Sequence, residues 1–190
     1  MKLTSTTSLR EGADSMCAAV SIIRNDGEGE RLWFYGGGVH TWKASSEETG
    51  GSLMLFEDHM SQGKATPLHV HANEDEALYV LEGEILVHID GENHRVGPRG
   101  FVFAPRGVPH AFLVTSPEAR MLCLETPGSA EAFYRGASEP AAEDVDLAGP
   151  VDFARVRESA ERSGGMQVLG PPPFEATQSA TTGAPGLAVR

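Results

Sequence analysis

The sequence predicts a mainly β fold, an antiparallel barrel or sandwich followed by a short helical C-terminal extension. Three observations carry that expectation. The chain holds 22 glycines and 12 prolines among 190 residues, a composition that favours a turn-rich β fold over a helix bundle. Between Leu32 and Thr126, short apolar runs alternate with turn signals at the spacing of consecutive short strands. After Thr126 the texture changes, and the longer polar and apolar periods of helices take over. No internal repeat is visible, so the pattern describes one barrel.

Taken in order, residues 1–15 are polar and aperiodic and read as a loose arm. Met16–Ile23 is apolar and predicts a first strand, closed by the turn composition of Asn25–Glu30, so residues 1–30 form an arm and first strand. Residues 31–126 form the barrel. Its apolar runs are Leu32–Tyr35, Val39–Ala44, Ser52–Phe56, Pro67–His71, Ala77–Leu81, Glu84–Ile89, Phe101–Ala104, His110–Thr115 and Ala119–Glu125. Residues 127–174 form a helical extension and a candidate lid. Ser129 is placed to cap a short helix running through Arg135, and 138–150 read as an acidic loop. Val151–Arg162 reads as a helix with Phe153, Val156, Arg157 and Ala160 on one stripe, ended by Gly164–Gly165. Residues 175–190 have the composition of a flexible tail.

Charge and composition exclude several classes. The formal net charge is −12, which argues against a nucleic-acid-binding surface or an anionic membrane surface, both of which need clustered Lys and Arg. An apolar share of 40% is enough for a core. The N-terminus has no apolar core of a secretory signal, and no apolar run is long enough to span a bilayer. Cys17 and Cys123 are too few for a disulfide framework or a zinc finger and read as buried thiols. A reducing, cytoplasmic setting is the expectation.

One stretch carries chemistry. His69 and His71 stand two apart, which on a strand turns both rings to the same face. A short turn follows, and Glu76 opens the next strand. His110 is delivered to a strand start by the turn of Pro105, Gly107 and Pro109. Three imidazoles and a carboxylate make a mixed nitrogen and oxygen site, suited to one divalent transition metal (Fe, Ni, Co, Mn, Cu or Zn) rather than Mg or Ca. Three His and a Glu turned into an apolar barrel are costly without a cation to offset them.

These residues resemble the cupin superfamily. Gly63, His69, His71, Glu76 and Gly83 match every fixed position of its first motif, G-x5-H-x-H-x4-E-x6-G. Pro105, Gly107 and His110 match its second, whereas Arg99 and Val114 stand where that motif has Gly and Asn. The resemblance covers residues 50–126, and within the superfamily the chain looks most like small single-barrel proteins of the quercetin-dioxygenase type. It implies a single jelly-roll barrel, a metal held by His69, His71, Glu76 and His110, and a homodimer. Glu76 would also serve as the base that accepts a substrate hydroxyl proton.

Parity suggests the pocket wall. With His110 inward, Phe112 and Val114 follow; with Glu76 inward, Leu78 and Val80 follow. Met54, Phe56, Met121 and Cys123 lie on barrel strands, and Phe133 and Tyr134 on the first post-barrel helix. Met54, Phe56, Phe112, Val114, Met121 and Phe133 are the candidate substrate-binding residues. Glu74 and Asp75 read as solvated turn residues, and His40, His59, His88 and His94 as surface or structural histidines. No inward Lys or Arg is evident, Arg106 aside. Such a pocket suits an enol-bearing aromatic ligand, flavonol-like or polyketide-like, better than a sugar phosphate. The leading expectation is a dioxygenase with dioxygen as co-substrate. The alternatives are a non-oxidative metalloenzyme (isomerase, cyclase or decarboxylase) and a ligand-binding protein without turnover.

Overall fold

The computed structural model describes residues 18–149 and 151–174. The strands are β1 (Arg31–Phe34), β2 (Val39–Ala44), β3 (Met54–Ser61), β4 (Leu68–Val70), β5 (Asp75–Glu82), β6 (Ile85–Ile89), β7 (Glu92–Val96), β8 (Phe101–Ala104), β9 (His110–Val114), β10 (Glu118–Thr126), β11 (Ser138–Pro140) and β12 (Gln167–Gly170). A 3-10 turn (Gly128–Ala130) leads into helix α1 (Glu131–Gly136), and helix α2 (Phe153–Ser163) precedes β12.

The strands form two antiparallel sheets, ordered β11-β1-β2-β3-β10-β5-β8 and β12-β4-β9-β6-β7. They face each other as a jelly roll, and the core lies between them. Period-two alternation makes that core. On β3, Met54, Phe56, Asp58 and Met60 are buried; on β10, Ala119, Met121, Cys123 and Glu125 are. The expected inward set of β5 and β9 is buried too: Glu76, Leu78 and Val80, then His110, Phe112 and Val114. Asp58 and Glu125 therefore stand at positions where the pattern would place apolar residues.

Three expectations about elements are corrected. Ala18–Ile23 forms no strand: Ile23 is 91% exposed and Val20 makes one backbone bond, donating to the Glu48 carbonyl; Met16 and Cys17 lie outside the described residues. β7 is a strand although its sequence, ENHRV, shows no apolar alternation. It is held by a hairpin whose turn residues, Asp90 and Gly91, both adopt positive φ (53° and 79°), the geometry that matches the twist of two paired strands. The extension is not purely helical, because β11 pairs with β1 and β12 with β4, adding one edge strand to each sheet.

α2 begins at Asp152, whose carboxylate accepts from the backbone N–H groups of Ala154 and Arg155, and ends at Gly164 in the left-handed region. Its buried face is Val156, Ser159 and Ala160; Phe153 and Arg157 are exposed, so the predicted stripe is rotated toward Ser159, whose hydroxyl donates to the Phe133 carbonyl. α1 is not capped by Ser129. Its N-cap is Ala130, and the Ser129 hydroxyl donates instead to Glu74. Among the described residues no helix is long and apolar enough to cross a membrane. The expected tail, 175–190, lies outside the described residues.

Candidate metal centre

His69, His71, Glu76 and His110 converge between the two sheets. One ligand atom from each lies within 4.8 Å of all the others, and all four residues are buried. β4 supplies His69, which pairs in register with His110 at the start of β9. His71 follows β4, and Glu76 comes from β5 in the facing sheet, flanked in register by Ala104 and Glu125. The ring centroids of His69 and His110 are 4.3 Å apart, and those of His69 and His71 5.2 Å apart.

The three imidazoles share one orientation device. Nδ1 of His69 faces the Pro67 carbonyl at 2.8 Å, Nδ1 of His71 the Gly165 carbonyl at 2.8 Å, and Nδ1 of His110 the Val108 carbonyl at 2.9 Å. A carbonyl only accepts, so each Nδ1 carries a proton, which leaves Nε2 of His69 and of His71 to present its lone pair. His71 Nε2 is buried without a partner among the described residues. His110 Nε2 lies 2.7 Å from Glu76 Oε2, and Glu76 Oε1 accepts from the Cys123 thiol at 3.3 Å.

Burial, then the neighbouring His110 and His71, pushes His69 down to about 3, so it is neutral. Burial would raise the Glu76 carboxyl, but the hydrogen bond and charge of His110, then His71 and His69, outweigh it and hold Glu76 ionised. Burial likewise opposes charge on His110, and Glu76 overcomes it and raises that imidazole. With Val108 O on one nitrogen and a carboxylate on the other, His110 faces two acceptors, and a cation at the cluster would replace the second proton. Three pre-oriented Nε2 atoms, one of them orphaned, and an ionised carboxylate fit a divalent transition metal.

Two further carboxylates, Glu74 and Glu125, group with His71 behind the cluster, and Glu74 corrects the turn reading. Glu74 is 1% exposed, accepts from Ser129, and leaves Oε2 without a partner among the described residues. Asp75 is half-buried and paired with Arg106 (Nη2–Oδ2 2.9 Å), which turns Arg106 outward and away from the pocket. Glu125 accepts from the Tyr134 hydroxyl at 2.5 Å, and its Oε2 lies 3.8 Å from His71 Nδ1. Burial and then the charge of Glu76 raise the Glu125 carboxyl well above its ordinary value.

A cavity of about 40 Å³ opens beside the cluster and touches His69 and Glu76. Of the predicted pocket residues it brings together Phe56, Phe112, Met121 and Phe133; Met54 and Val114 are fully buried core residues outside its lining. Tyr134 and Cys123 line it as well, and the extension closes it with Phe153, Val156 and Met166. Sequence reasoning missed three polar residues of the wall. His40 is stacked between Phe34 and Phe56 (centroids 4.7 and 4.1 Å), and Asp58 and Lys64 form a buried pair. The expectation of a wall without an inward cation is therefore corrected by Lys64, 6% exposed. His59, His88 and His94 lie outside the cavity; His59 pairs with Glu118 and His88 with Asn93.

Comparison with known proteins agrees with this geometry. Residues 56–126 match the cupin domain family, a span that contains all four residues of the cluster. The chain is 28% identical over 139 residues to quercetin 2,3-dioxygenase of Bacillus subtilis (strain 168), which is 73% of this chain but 39% of that protein. This chain thus matches well under half the length of that relative. Among solved structures, an RmlC-like cupin from Shewanella frigidimarina NCIMB 400 shares the fold at a TM-score of 0.50 and 19% identity, over 57% of this chain and 92% of that one. Residues 56–126 are a cupin domain, and the chain is a distant relative of quercetin 2,3-dioxygenase.

Proposed function

We propose that this protein is a metal-dependent dioxygenase acting on an enol-bearing aromatic small molecule, flavonol-like or polyketide-like. The observation that carries the reading is the convergence of three Nδ1-anchored imidazoles and the ionised Glu76 on the edge of an aromatic-walled cavity. His69, His71, His110 and Glu76 would hold one redox-active divalent ion (Fe, Ni, Co, Mn or Cu), which when bound supplies a Lewis acid for the enolate and a redox partner for dioxygen. The distant likeness to quercetin 2,3-dioxygenase supports the same class.

The chain's own residues then have three tasks. Glu76 accepts the enol hydroxyl proton: it is the carboxylate of the cluster that lines the cavity, and such proton transfer contributes typically about 10²–10⁴-fold. Phe56, Phe112, Met121 and Phe133 bind the ring system and exclude water. Phe153, Val156 and Met166 come from the C-terminal extension and form a lid over this wall. Both oxygen atoms enter the product in this class, so no external reductant is needed.

The test is elemental analysis of the purified chain, with oxygen uptake recorded against a panel of flavonols and enolic polyketides. The expected result is a redox-active metal near one per chain and substrate-dependent oxygen consumption. A metal-loaded chain that consumes no oxygen with any member of the panel would overturn the dioxygenase reading in favour of isomerase, cyclase or decarboxylase chemistry, for which zinc suffices.

A further inference from the structure

The cavity has a second polar pole, built from side chains that the metal cluster does not use. Asp58 Oδ2 lies 3.1 Å from Lys64 Nζ and 3.6 Å from His40 Nε2. All three residues line the cavity, and none is more than 6% exposed. They are held in place from several sides. Lys64, beyond the turn that follows β3, is fixed by backbone bonds to the end of β9, Gly63 N to Val114 O and Val114 N to Lys64 O. Asp58 fits only because residue 38 is glycine: a Cβ there would stand 2.7 Å from Oδ1, and its φ of +112° also disfavours other residues. The ammonium lies 5.4 Å from the ring centroids of both Phe34 and Phe112, two rings of the cavity wall.

The chemistry of this pole specifies what it binds. Lys64 and Asp58 together carry no net charge, and burial, outweighing Asp58, keeps His40 neutral. A charged ligand group would thus be unbalanced here. The Lys64 ammonium has three donors and spends one on Asp58. With His40 Nε2 turned to the carboxylate, Nδ1 is left as a buried acceptor with no partner among the described residues. The spare Lys64 donors and the buried acceptors His40 Nδ1 and Asp58 Oδ1, both without a partner among the described residues, belong to residues lining a mostly aromatic cavity and are complemented by a hydroxyl, which accepts from a donor and donates to an acceptor. Resting on the dioxygenase reading of the same cavity, we propose that Lys64, Asp58 and His40 form a subsite for a neutral phenolic hydroxyl of the substrate, distinct from the enol oxygen bound at the metal cluster. The substrate class narrows to enol-bearing aromatics with a further ring hydroxyl, and Lys64 becomes the residue that selects them.

The test is anaerobic titration calorimetry on the metal-loaded chain with three probes: 3-hydroxyflavone, 3,7-dihydroxyflavone and 3,4′-dihydroxyflavone. At least one dihydroxy probe should bind about tenfold or more tightly than 3-hydroxyflavone, the gain expected of a hydrogen bond to a charged donor. Lys64→Met should bring that ratio to within about threefold with metal content unchanged, as expected once the charged donor is gone. Lys64→Met alone leaves Asp58 buried and unpaired, so the charge-free double variant Asp58→Asn/Lys64→Met is measured beside it. Equal binding of all three probes by the wild type, or a ratio preserved in the double variant, would overturn the subsite. Absence of binding by any probe would overturn the subsite and the aromatic-substrate reading together. Lys64-dependent selectivity without oxygen uptake would uphold the subsite and remove only the oxygenase chemistry.

Discussion

His71 Nδ1 lies 2.8 Å from the carbonyl oxygen of Gly165, 94 positions further along the chain. The contact ties a candidate metal ligand in the barrel to the loop between α2 and β12. Gly165 is packed so closely that a Cβ would stand 3.0 Å from Ala130 Cα and from Phe133 Cβ. A larger residue at 165 therefore moves the carbonyl that orients His71. Gly165→Val should weaken metal affinity by about 10–100-fold, the usual effect of losing an outer hydrogen bond to a ligating imidazole. Competition against a chromophoric chelator measures it, and affinity equal to wild type would show that His71 does not need this anchor.

Glu76 and the histidines should separate by variant. His69→Ala removes one of three oriented Nε2 donors and should lose metal and turnover together. Glu76→Gln keeps an oxygen ligand but removes the base, so metal should be partly retained while the rate falls by about 10²-fold or more. Metal content and oxygen uptake measured on the same samples decide the matter, and an unchanged rate in Glu76→Gln would take this residue out of catalysis.

Acid stability should depend on Arg24. Its guanidinium holds Glu48 by two bonds (Nη2–Oε1 2.6 Å, Nη1–Oε2 3.1 Å), and with the backbone N–H of Ser45 it lowers the Glu48 carboxyl from 4.5 to about 2. A carboxyl whose folded pKa is depressed contributes stability above its unfolded pKa and loses it as pH falls through the folded one. The difference in melting temperature between wild type and Arg24→Ala should accordingly be steady above pH 4.5 and shrink toward zero near pH 2. Both side chains are about 30% exposed, so solvent screening keeps the contribution below about 1 kcal/mol. A difference that grows on acidification would contradict the pairing.

The barrel and the metal cluster were legible because each rests on local rules. Alternation placed Leu78, Val80, Phe112 and Val114 inward, and the two-residue spacing placed His69 and His71 beside each other. Asp58 was legible in principle, since it keeps parity with Met54, Phe56 and Met60; an acidic residue in an apolar series is the signal that was passed over. Lys64 gave no such signal. It follows a turn, and only the pairing of the segment beyond β3 with Val114 at the end of β9 fixes it in place. Glu74 looked like a turn residue because its partner, Ser129, stands 55 positions away. β7 lacked a pattern because four of its five residues face water, and its hairpin turn holds it instead.

The carboxylates behind the cluster lead to a stability prediction. The Tyr134 hydroxyl donates to Glu125 Oε1 at 2.5 Å, and both side chains are buried. Glu125 Oε2 already lacks a partner among the described residues. Burial and then the charge of Glu76 raise this carboxyl well above its ordinary value. Tyr134→Phe preserves the ring, which packs edge-on against Phe56 at 4.9 Å, and removes only that bond. A buried acceptor left unsatisfied costs about 1–3 kcal/mol, and chemical denaturation should show a loss of that size with an unchanged m-value. The double variant Tyr134→Phe/Glu125→Leu should not cost the sum of the two single changes, because both remove the same bond. Strictly additive losses would mean that Tyr134 and Glu125 act independently, and that the contact between them contributes nothing to holding α1 against the barrel.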